Sequence, residues 1–301
     1  MEKKGTDIQE LPEGCIADIF SFTTPRDACN LSTVSSKFKN ASLSDTVWES
    51  FLPQDYNSII SQSSHPSLLS SCSSKKHLFL SLCQKPIIID NGKKSFSLDK
   101  RNGKKCYMLS ARDLKISWGG TPTYWRWISD PDSRFGEVAE LISVCWLEIS
   151  GTISTSLLSP STMYSAYLVF KLNERAYGLH DPPVEAIVRA GDGSEINKRI
   201  IYLDADTNLR GVRQEPLLLR TRHGLFGPSD IAEESETPEH SGNDGQQSGS
   251  KERGDGWLEV ELGEFFNRDG NGEELEMSVL EVKGGKWKGG LIVQGIEIRP
   301  K

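Results

Sequence analysis

The chain has no apolar run that approaches the length needed to span a bilayer, and its beginning lacks the apolar h-region of a signal peptide. Its 301 residues are 36% hydrophobic and 26% charged, with a mean hydropathy of −0.43. These values are typical of a soluble protein with one small and one medium domain. We therefore expect no membrane span and a cytoplasmic and/or nuclear location.

The six cysteines form no CxxC pair and follow no regular spacing. Without a signal peptide, they are expected to be reduced and mostly buried as small apolar groups. The five histidines do not cluster with them, so the sequence predicts no metal site and no other cofactor. The formal net charge of −7 argues against nucleic acid as a partner, because binding a phosphate backbone requires an excess of basic residues.

Common catalytic motifs are also missing. There is no glycine-rich phosphate loop, no Gly-x-Ser-x-Gly elbow and no His-Glu-x-x-His. The adjacent carboxylates Glu273 and Glu274 could in principle hydrolyse a glycosidic bond, but adjacency in sequence does not set the distance between carboxyl groups. The sequence therefore predicts a binding protein and not an enzyme.

The first fifty-odd residues predict a small helical module. Ile16, Ile19 and Phe20 are spaced as one apolar face of a first helix, and Pro25 stands where a second helix would begin. A module this small with so many large apolar groups is expected to leave some of them exposed for a partner. The apolar stripe of the second predicted helix is Leu31, Val34, Phe38 and Ala41, and that of the third is Val47, Trp48, Phe51 and Leu52.

The Leu-Pro pair at 11–12 and the Val-Trp-x-x-Phe-Leu-Pro sequence at 47–53 occur together in this module, which resembles an F-box. The alternative is an ordinary helical cap on the next domain. The resemblance implies an F-box over residues 1–54 that docks on a Skp-family adaptor and, through it, on a cullin ubiquitin ligase. The adaptor contacts expected from it are Leu11, Pro12, Ile16, Ile19, Pro25, Val34 and Trp48.

Residues 55–104 predict a connector. Nine serines lie between Ser58 and Ser74, a composition typical of a linker that adds nothing to a core. Residues 75–83 regain a helical pattern, and residues 85–92 predict a short strand ended by a turn.

The hydrophobic period changes to two in residues 105–301, as in the alternation of Leu258, Val260 and Leu262 with glutamates. Many short strands with Gly and Pro between them predict an all-β antiparallel sandwich, which makes the chain an α + β multidomain protein. Residues 228–256 have almost no large apolar groups and predict a disordered insertion.

Four aromatic residues, Trp118, Tyr124, Trp125 and Trp127, lie within ten residues and are interrupted by the glycines at 119–120. They cannot all face inward from one regular element. Tyr124 and Trp127 are interpreted as core residues, whereas core and exposed positions stay equally open for Trp118 and Trp125. An exposed indole suits a sugar site, because its flat face packs against the C–H face of a pyranose.

The motif Ala-Arg-Asp-Leu-x-Ile-x-Trp at 111–118 is followed by Pro-x-Tyr-Trp-x-Trp at 122–127, by Val-Cys-Trp-Leu-Glu-Ile at 144–149 and by a Gly-Gly-Leu-Ile-Val run at 289–293. This combination resembles the plant phloem protein 2 domain, which is shared with Nictaba-type lectins. With the F-box, the whole chain resembles the F-box phloem protein 2-B class. The resemblance implies a jelly-roll-like β-sandwich lectin domain that binds N-acetylglucosamine oligomers or N-glycan cores. The implied sugar contacts are Trp118, Trp125, Glu274 and Glu281, with Glu273 and Glu276 as alternative registers for the acidic pair.

Two functions are compatible with these patterns. In the first, the chain is a substrate-recognition subunit that selects glycoproteins for ubiquitination through a working lectin domain. In the second, the sandwich has no sugar affinity and binds an unmodified protein partner.

Overall fold

The protein is described by a computed structural model that covers residues 8–179, 183–203 and 247–301. A helical part comes first and a β-sandwich follows, which confirms the predicted fold class. The α-helices within the described residues are α1 (Glu13–Ser21), α2 (Pro25–Leu31), α3 (Ser36–Ala41), α4 (Asp45–Phe51), α5 (Tyr56–Ser61), α6 (Leu68–Ser71) and α7 (Lys75–Gln84).

The second of the three helices predicted in the F-box region is in fact two, α2 and α3. The Ser35 Oγ accepts a hydrogen bond from the Phe38 N–H at 3.2 Å, so a new helix begins at this cap. The Val34 N–H donates to the Leu31 carbonyl at 3.0 Å and closes the turn between the helices. The apolar stripe alone did not reveal this cap, and Val34 consequently projects from a turn into solvent.

The serine-rich residues 58–74, interpreted as a linker, contribute side chains to the core, and the helical pattern and short strand predicted after them correspond to α7 and β1 (Ile87–Ile89). Ile60 on α5 and Phe79 on α7 are fully buried, and the Phe79 ring lies 5.3 Å from the Trp48 ring in the F-box region. Serines dominate the composition of residues 58–74, but the apolar residues between them pack into or against the hydrophobic core.

Two sheets pack face to face to form the sandwich. Their pairs are antiparallel except for β10 with β11, which is parallel. Sheet 1 contains, in spatial order, β1 (Ile87–Ile89), β2 (Lys94–Leu98), β3 (Lys105–Ser110), β15 (Gly289–Pro300), β8 (Thr162–Tyr177), β13 (Leu258–Asn267) and β12 (Lys251–Glu252), with β6 (Val138–Leu141) and β5 (Trp125–Ile128) joined to β15 through β6. Sheet 2 contains β11 (Gln247–Gly249), β10 (Glu195–Tyr202), β9 (Val184–Ala190), β14 (Glu274–Glu281), β7 (Leu147–Ser154) and β4 (Lys115–Ile116).

The helices and the sandwich share one hydrophobic core. At the junction, the Lys105 ammonium lies 2.7 Å from the Asp55 carboxylate, and the Tyr164 hydroxyl donates to the Lys105 carbonyl at 3.1 Å. Gly103 has a φ of +71°, and a Cβ there would lie 2.8 Å from the Phe51 carbonyl oxygen, so the turn at Gly103 packs tightly against the end of α4. The position of the sandwich relative to the helices is therefore fixed by packing.

This junction defines two ends of the sandwich. The near end, beside the helices, contains the beginning of β8 at Thr162 and the end of β15 at Pro300. The far end contains the end of β8 at Tyr177 and the beginning of β15 at Gly289. In sheet 2, β14 runs from Glu274 at the near end to Glu281 at the far end.

The insertion predicted at 228–256 is wrong in its last ten residues, which form β11, β12 and the turn that follows. Arg253 provides the physical reason, because its guanidinium lies 2.7 Å from Glu259 and 2.6 Å from Glu297 and ties the segment to sheet 1. Residues 228–246 lie outside the described residues.

The cysteines of the described residues are free, as expected. Their predicted burial is wrong, since Cys15 and Cys29 are exposed and the other four are only partly buried. The first two lie on the solvent-facing sides of α1 and α2.

A buried charge cluster on the outer face of sheet 1 makes the stability of the sandwich dependent on pH. Burial raises the pKa of the Glu297 carboxyl, but the guanidinium groups of Arg134, Arg253 and Arg299 more than offset this effect and hold that pKa below its usual range. The charged form of Glu297 therefore stabilises the fold above the unfolded pKa of about 4.3, and this contribution is lost as pH falls through the lower folded pKa.

We expect Glu297→Gln to lower the free energy of unfolding at pH 7 by about 3–5 kcal/mol, because it leaves buried guanidinium groups short of a counter-charge. Urea unfolding between pH 7 and pH 3 measures the effect, and the variant should lose less stability than the wild type as the pH falls below about 4. Glu276→Gln, on an outer strand position of sheet 2, is the control and should have little effect. An unchanged urea midpoint for Glu297→Gln at pH 7 would show that the charged Glu297 carboxylate does not stabilise the fold.

Candidate binding site at the far end of the sandwich

Trp118 lies in the loop that follows β4 at the far end. Its φ is +57°, a left-handed conformation that is strained for a large side chain. The loop is held by hydrogen bonds from the Gly119 N–H to the Ile116 carbonyl at 2.9 Å and from the Thr121 N–H to the Trp118 carbonyl at 2.8 Å. The Trp118 side chain is 45% exposed, so the strained backbone presents its ring to solvent.

Two further rings adjoin Trp118 and complete an aromatic cluster of Trp118, Tyr124 and Trp146. The Trp118 ring centroid lies 5.6 Å from that of Tyr124 and 6.5 Å from that of Trp146. Trp146 is also 45% exposed. Beside the cluster, the Ser117 hydroxyl donates to the Glu148 carboxylate at 2.7 Å. Exposed rings next to a hydroxyl and a carboxylate can stack on a sugar and bond its hydroxyl groups.

Trp125 does not belong to the exposed surface, which corrects its prediction as a sugar contact. It begins β5 and is 2% exposed, because the alternation of the strand turns its ring into the core and turns Arg126 outward. Its indole N–H donates to the Ser117 carbonyl at 3.1 Å.

Trp127 supports the same loop from the next inward position of β5. Its indole N–H donates to the Gly119 carbonyl at 2.9 Å, and its ring packs 3.6 Å from the Arg112 guanidinium. The indoles of Trp125 and Trp127 thus bond the carbonyls on either side of Trp118. Trp127 and Tyr124, interpreted as core residues, are partly buried and pack against the core, and Tyr124 also contacts the exposed ring of Trp118.

The two predicted acidic contacts lie apart from each other. Glu281 is buried at the far end, forms an ion pair with Lys288 and accepts a hydrogen bond from the Gly284 N–H at 2.8 Å, so it is not open to a ligand. Glu274 is exposed at the near end, seven residues along β14 and therefore about 23 Å away. It lines a cavity of about 320 Å³ with Phe266. Glu273 is also at the near end.

Sequence reasoning missed Trp146 as a site residue. Its inward neighbour Leu147 is fully buried in β7, so period-two alternation could have placed Trp146 outward. Further apolar side chains exposed at the far end are Ile142, Tyr177 and Trp287.

The structure separates the predicted adaptor contacts into two groups. Ile16, Pro25 and Trp48 are buried in the core, so their side chains shape the module and do not form an open surface. The other four have exposed or partly exposed side chains: Leu11, Pro12, Ile19 and Val34.

Comparisons with known proteins agree with this architecture. The profile for phloem protein 2 matches residues 104–300, and the profile described as F-box-like matches residues 8–54. Three similar relatives are from Arabidopsis thaliana. F-box protein At2g02240 is 46% identical over 96% of this chain and 79% of its own length. F-box protein PP2-B1 is 44% identical over 97% and 89%, and the putative F-box protein PP2-B12 is 45% identical over 97% and 97%.

The chain therefore belongs to the phloem protein 2 family, among the F-box proteins of its B class. It combines an F-box with a lectin-like domain. A solved Podospora anserina GH26-CBM35 β-(1,4)-mannanase aligns over 65% of this chain and 28% of its own with 8% identity and a TM-score of 0.31, which is too low to support any argument. No helix in the described part of the chain is long and apolar enough to cross a membrane.

The different burial of Trp118 and Trp125 leads to a stability prediction. Trp125→Ala should lower the free energy of unfolding by about 3–5 kcal/mol, because it empties a core position and removes a bond to the loop. Trp118→Ala should change it by less than about 1 kcal/mol, since a half-exposed ring contributes little packing. Urea unfolding of both variants measures the difference, and equal losses of unfolding free energy would contradict the prediction.

Proposed function

We propose that this protein is a substrate-recognition subunit of an SCF-type ubiquitin ligase. Its F-box would bind a Skp-family adaptor, and its sandwich would bind N-acetylglucosamine oligomers or N-glycan cores on target glycoproteins. The observation that supports this most strongly is the aromatic cluster of Trp118, Tyr124 and Trp146, presented on a strained loop at the end of the sandwich remote from the F-box. The ligase would act in the cytoplasm or the nucleus.

The F-box has a suitable surface for docking. Ile19 on α1 and Val34 after α2 are exposed large apolar groups, and Val34 is 59% exposed. Pro12 is exposed at the beginning of α1, next to the partly buried Leu11. Burying apolar side chains at the centre of an interface contributes on the order of 1–3 kcal/mol each, which supports these four as the contacts.

The separation of the two surfaces favours a bridging role. The helices pack on the near end of the sandwich, whereas the aromatic cluster is at the far end. β7 crosses this distance, with Trp146 just before its far end and Ser154 at its near end. A target bound to the cluster would therefore leave the F-box free for the adaptor.

A sugar on the cluster would bind weakly on its own. One stacked ring buries little area, and each hydroxyl contact competes with water. An oligomer that covers both Trp118 and Trp146 buries more, so chito-oligosaccharides should bind better than N-acetylglucosamine.

A second candidate function is the binding of an unmodified protein. The exposed Ile142, Tyr177 and Trp287 favour it, because they extend the apolar surface of the far end beyond what one sugar covers.

For the adaptor, we expect the double variant Ile19→Glu, Val34→Glu to abolish co-purification with a Skp-family adaptor, since buried carboxylates would oppose the interface. Met163→Glu, an exposed apolar position on the sandwich, is the matched control and should bind normally. Circular dichroism checks that all three chains fold. Undiminished adaptor binding by the folded double variant would exclude this surface.

For the sugar, calorimetry with tri-N-acetylchitotriose should detect binding by the full chain at millimolar ligand. Trp118→Ala and Trp146→Ala should each weaken it by about 1–3 kcal/mol, or roughly 5- to 150-fold in Kd. Phe266→Ala removes an exposed ring at the near end and is the matched control, expected to bind as the wild type does.

Chitotriose binding by the wild-type chain distinguishes the two proposed functions. Absence of chitotriose binding at millimolar concentration would exclude the glycan function and favour the protein partner. Binding that persists unchanged in both tryptophan variants would retain the lectin and exclude this site.

A further inference from the structure

A buried ion pair lies beneath the exposed far end of the sandwich. The Lys288 side chain has no exposed surface and pairs with the Glu281 carboxylate. The Lys288 ammonium also donates to the Lys286 carbonyl at 2.8 Å and to the Cys145 carbonyl at 3.2 Å. The ammonium is therefore held by two backbone carbonyls and one carboxylate counter-charge.

The two carbonyls that Lys288 binds immediately precede exposed tryptophans. Cys145 precedes Trp146, and Lys286 precedes Trp287. The two segments are also joined directly, since Val144 and Lys288 exchange backbone hydrogen bonds of 2.9 and 2.8 Å. One ammonium thus fixes the backbone directly before each of two aromatic residues.

Glu281 adds a third segment to the same arrangement. Its Oε1 accepts a hydrogen bond from the Gly284 N–H at 2.8 Å, at the beginning of the turn that leads to Trp287. Burying a carboxylate and an ammonium costs desolvation energy, and an apolar pair of similar volume is often as stable. Unlike an apolar pair, the charged pair also fixes the orientation of the backbone, because it forms hydrogen bonds with three particular backbone groups.

We infer that Glu281 and Lys288 are positioning residues that set the orientation of Trp146 and Trp287 at the binding surface, and that neither contacts the ligand. Their effect on sugar affinity rests on the proposed function, whereas their effect on the two rings does not. Loss of the ammonium should free the carbonyls of Cys145 and Lys286, so both rings should sample several orientations.

Fluorine NMR of the full chain labelled with 5-fluorotryptophan tests the inference. Trp146→Phe and Trp287→Phe assign the two signals. Lys288→Met keeps the length of the side chain and removes its bonds, while Glu281→Gln keeps an oxygen for Gly284 and removes the charge. The control is Arg253→Met, which breaks a buried charge cluster on sheet 1 far from the tryptophans of interest.

We expect Lys288→Met and Glu281→Gln to shift or broaden the signals of Trp146 and Trp287 while the signal of the F-box core residue Trp48 stays unchanged. Arg253→Met should leave the Trp146 and Trp287 signals in place even where it lowers the urea midpoint. The Kd for tri-N-acetylchitotriose should rise about tenfold in the first two variants and stay near the wild-type value in the control.

Unchanged Trp146 and Trp287 signals in a folded Lys288→Met or Glu281→Gln chain would overturn the inference. Failure of both variants to fold would overturn it as well, since the pair would then serve global stability. If the wild type does not bind chitotriose, the glycan function fails, but the fluorine signals still decide whether the pair positions the rings.

Discussion

The pairing of β8 with β15 is the constraint on which the rest of the structure depends. It extends from Tyr164 opposite Pro300 at the near end to Tyr177 opposite Gly289 at the far end. β15 also pairs with β3 and β6, so the β1–β3 part of sheet 1 and the hairpin that carries Trp125 are aligned by the same element. Gly295 permits this close packing, because a Cβ there would collide with the Leu109 carbonyl.

The far end shows how a sandwich can present a strained loop without losing order. The indoles of Trp125 and Trp127 bond the carbonyls of Ser117 and Gly119 from within the sheet. They hold the backbone on both sides of Trp118, which is why a left-handed conformation persists at a bulky residue. Within this aromatic motif, the rings of Trp125 and Trp127 therefore support the loop, whereas the ring of Trp118 is exposed to solvent.

The sequence predicted the fold class, helices first and a β-sandwich second, because apolar periods of 3.6 and 2 depend on local burial. The cap at Ser35 and the inward direction of Trp125 were recoverable from local rules, but a competing motif resemblance assigned Trp125 to the surface. The burial of Glu281 was not recoverable, because its partner Lys288 follows across a turn and meets it only in the folded sheet. Contacts between distant segments, such as Arg253 with Glu297, likewise have no local signature.

A shared core between helices and sandwich has a mechanical consequence. If residues 55–104 were a flexible linker, a ligand at the far end would explore a wide range of positions relative to the F-box. Instead, Phe79 packs on Trp48, and Lys105 pairs with Asp55 at the beginning of β3. The distance and direction from the F-box to the aromatic cluster are then properties of the fold. Under the proposed function, this fixed geometry would select a target by where its lysines lie as well as by what the cluster binds.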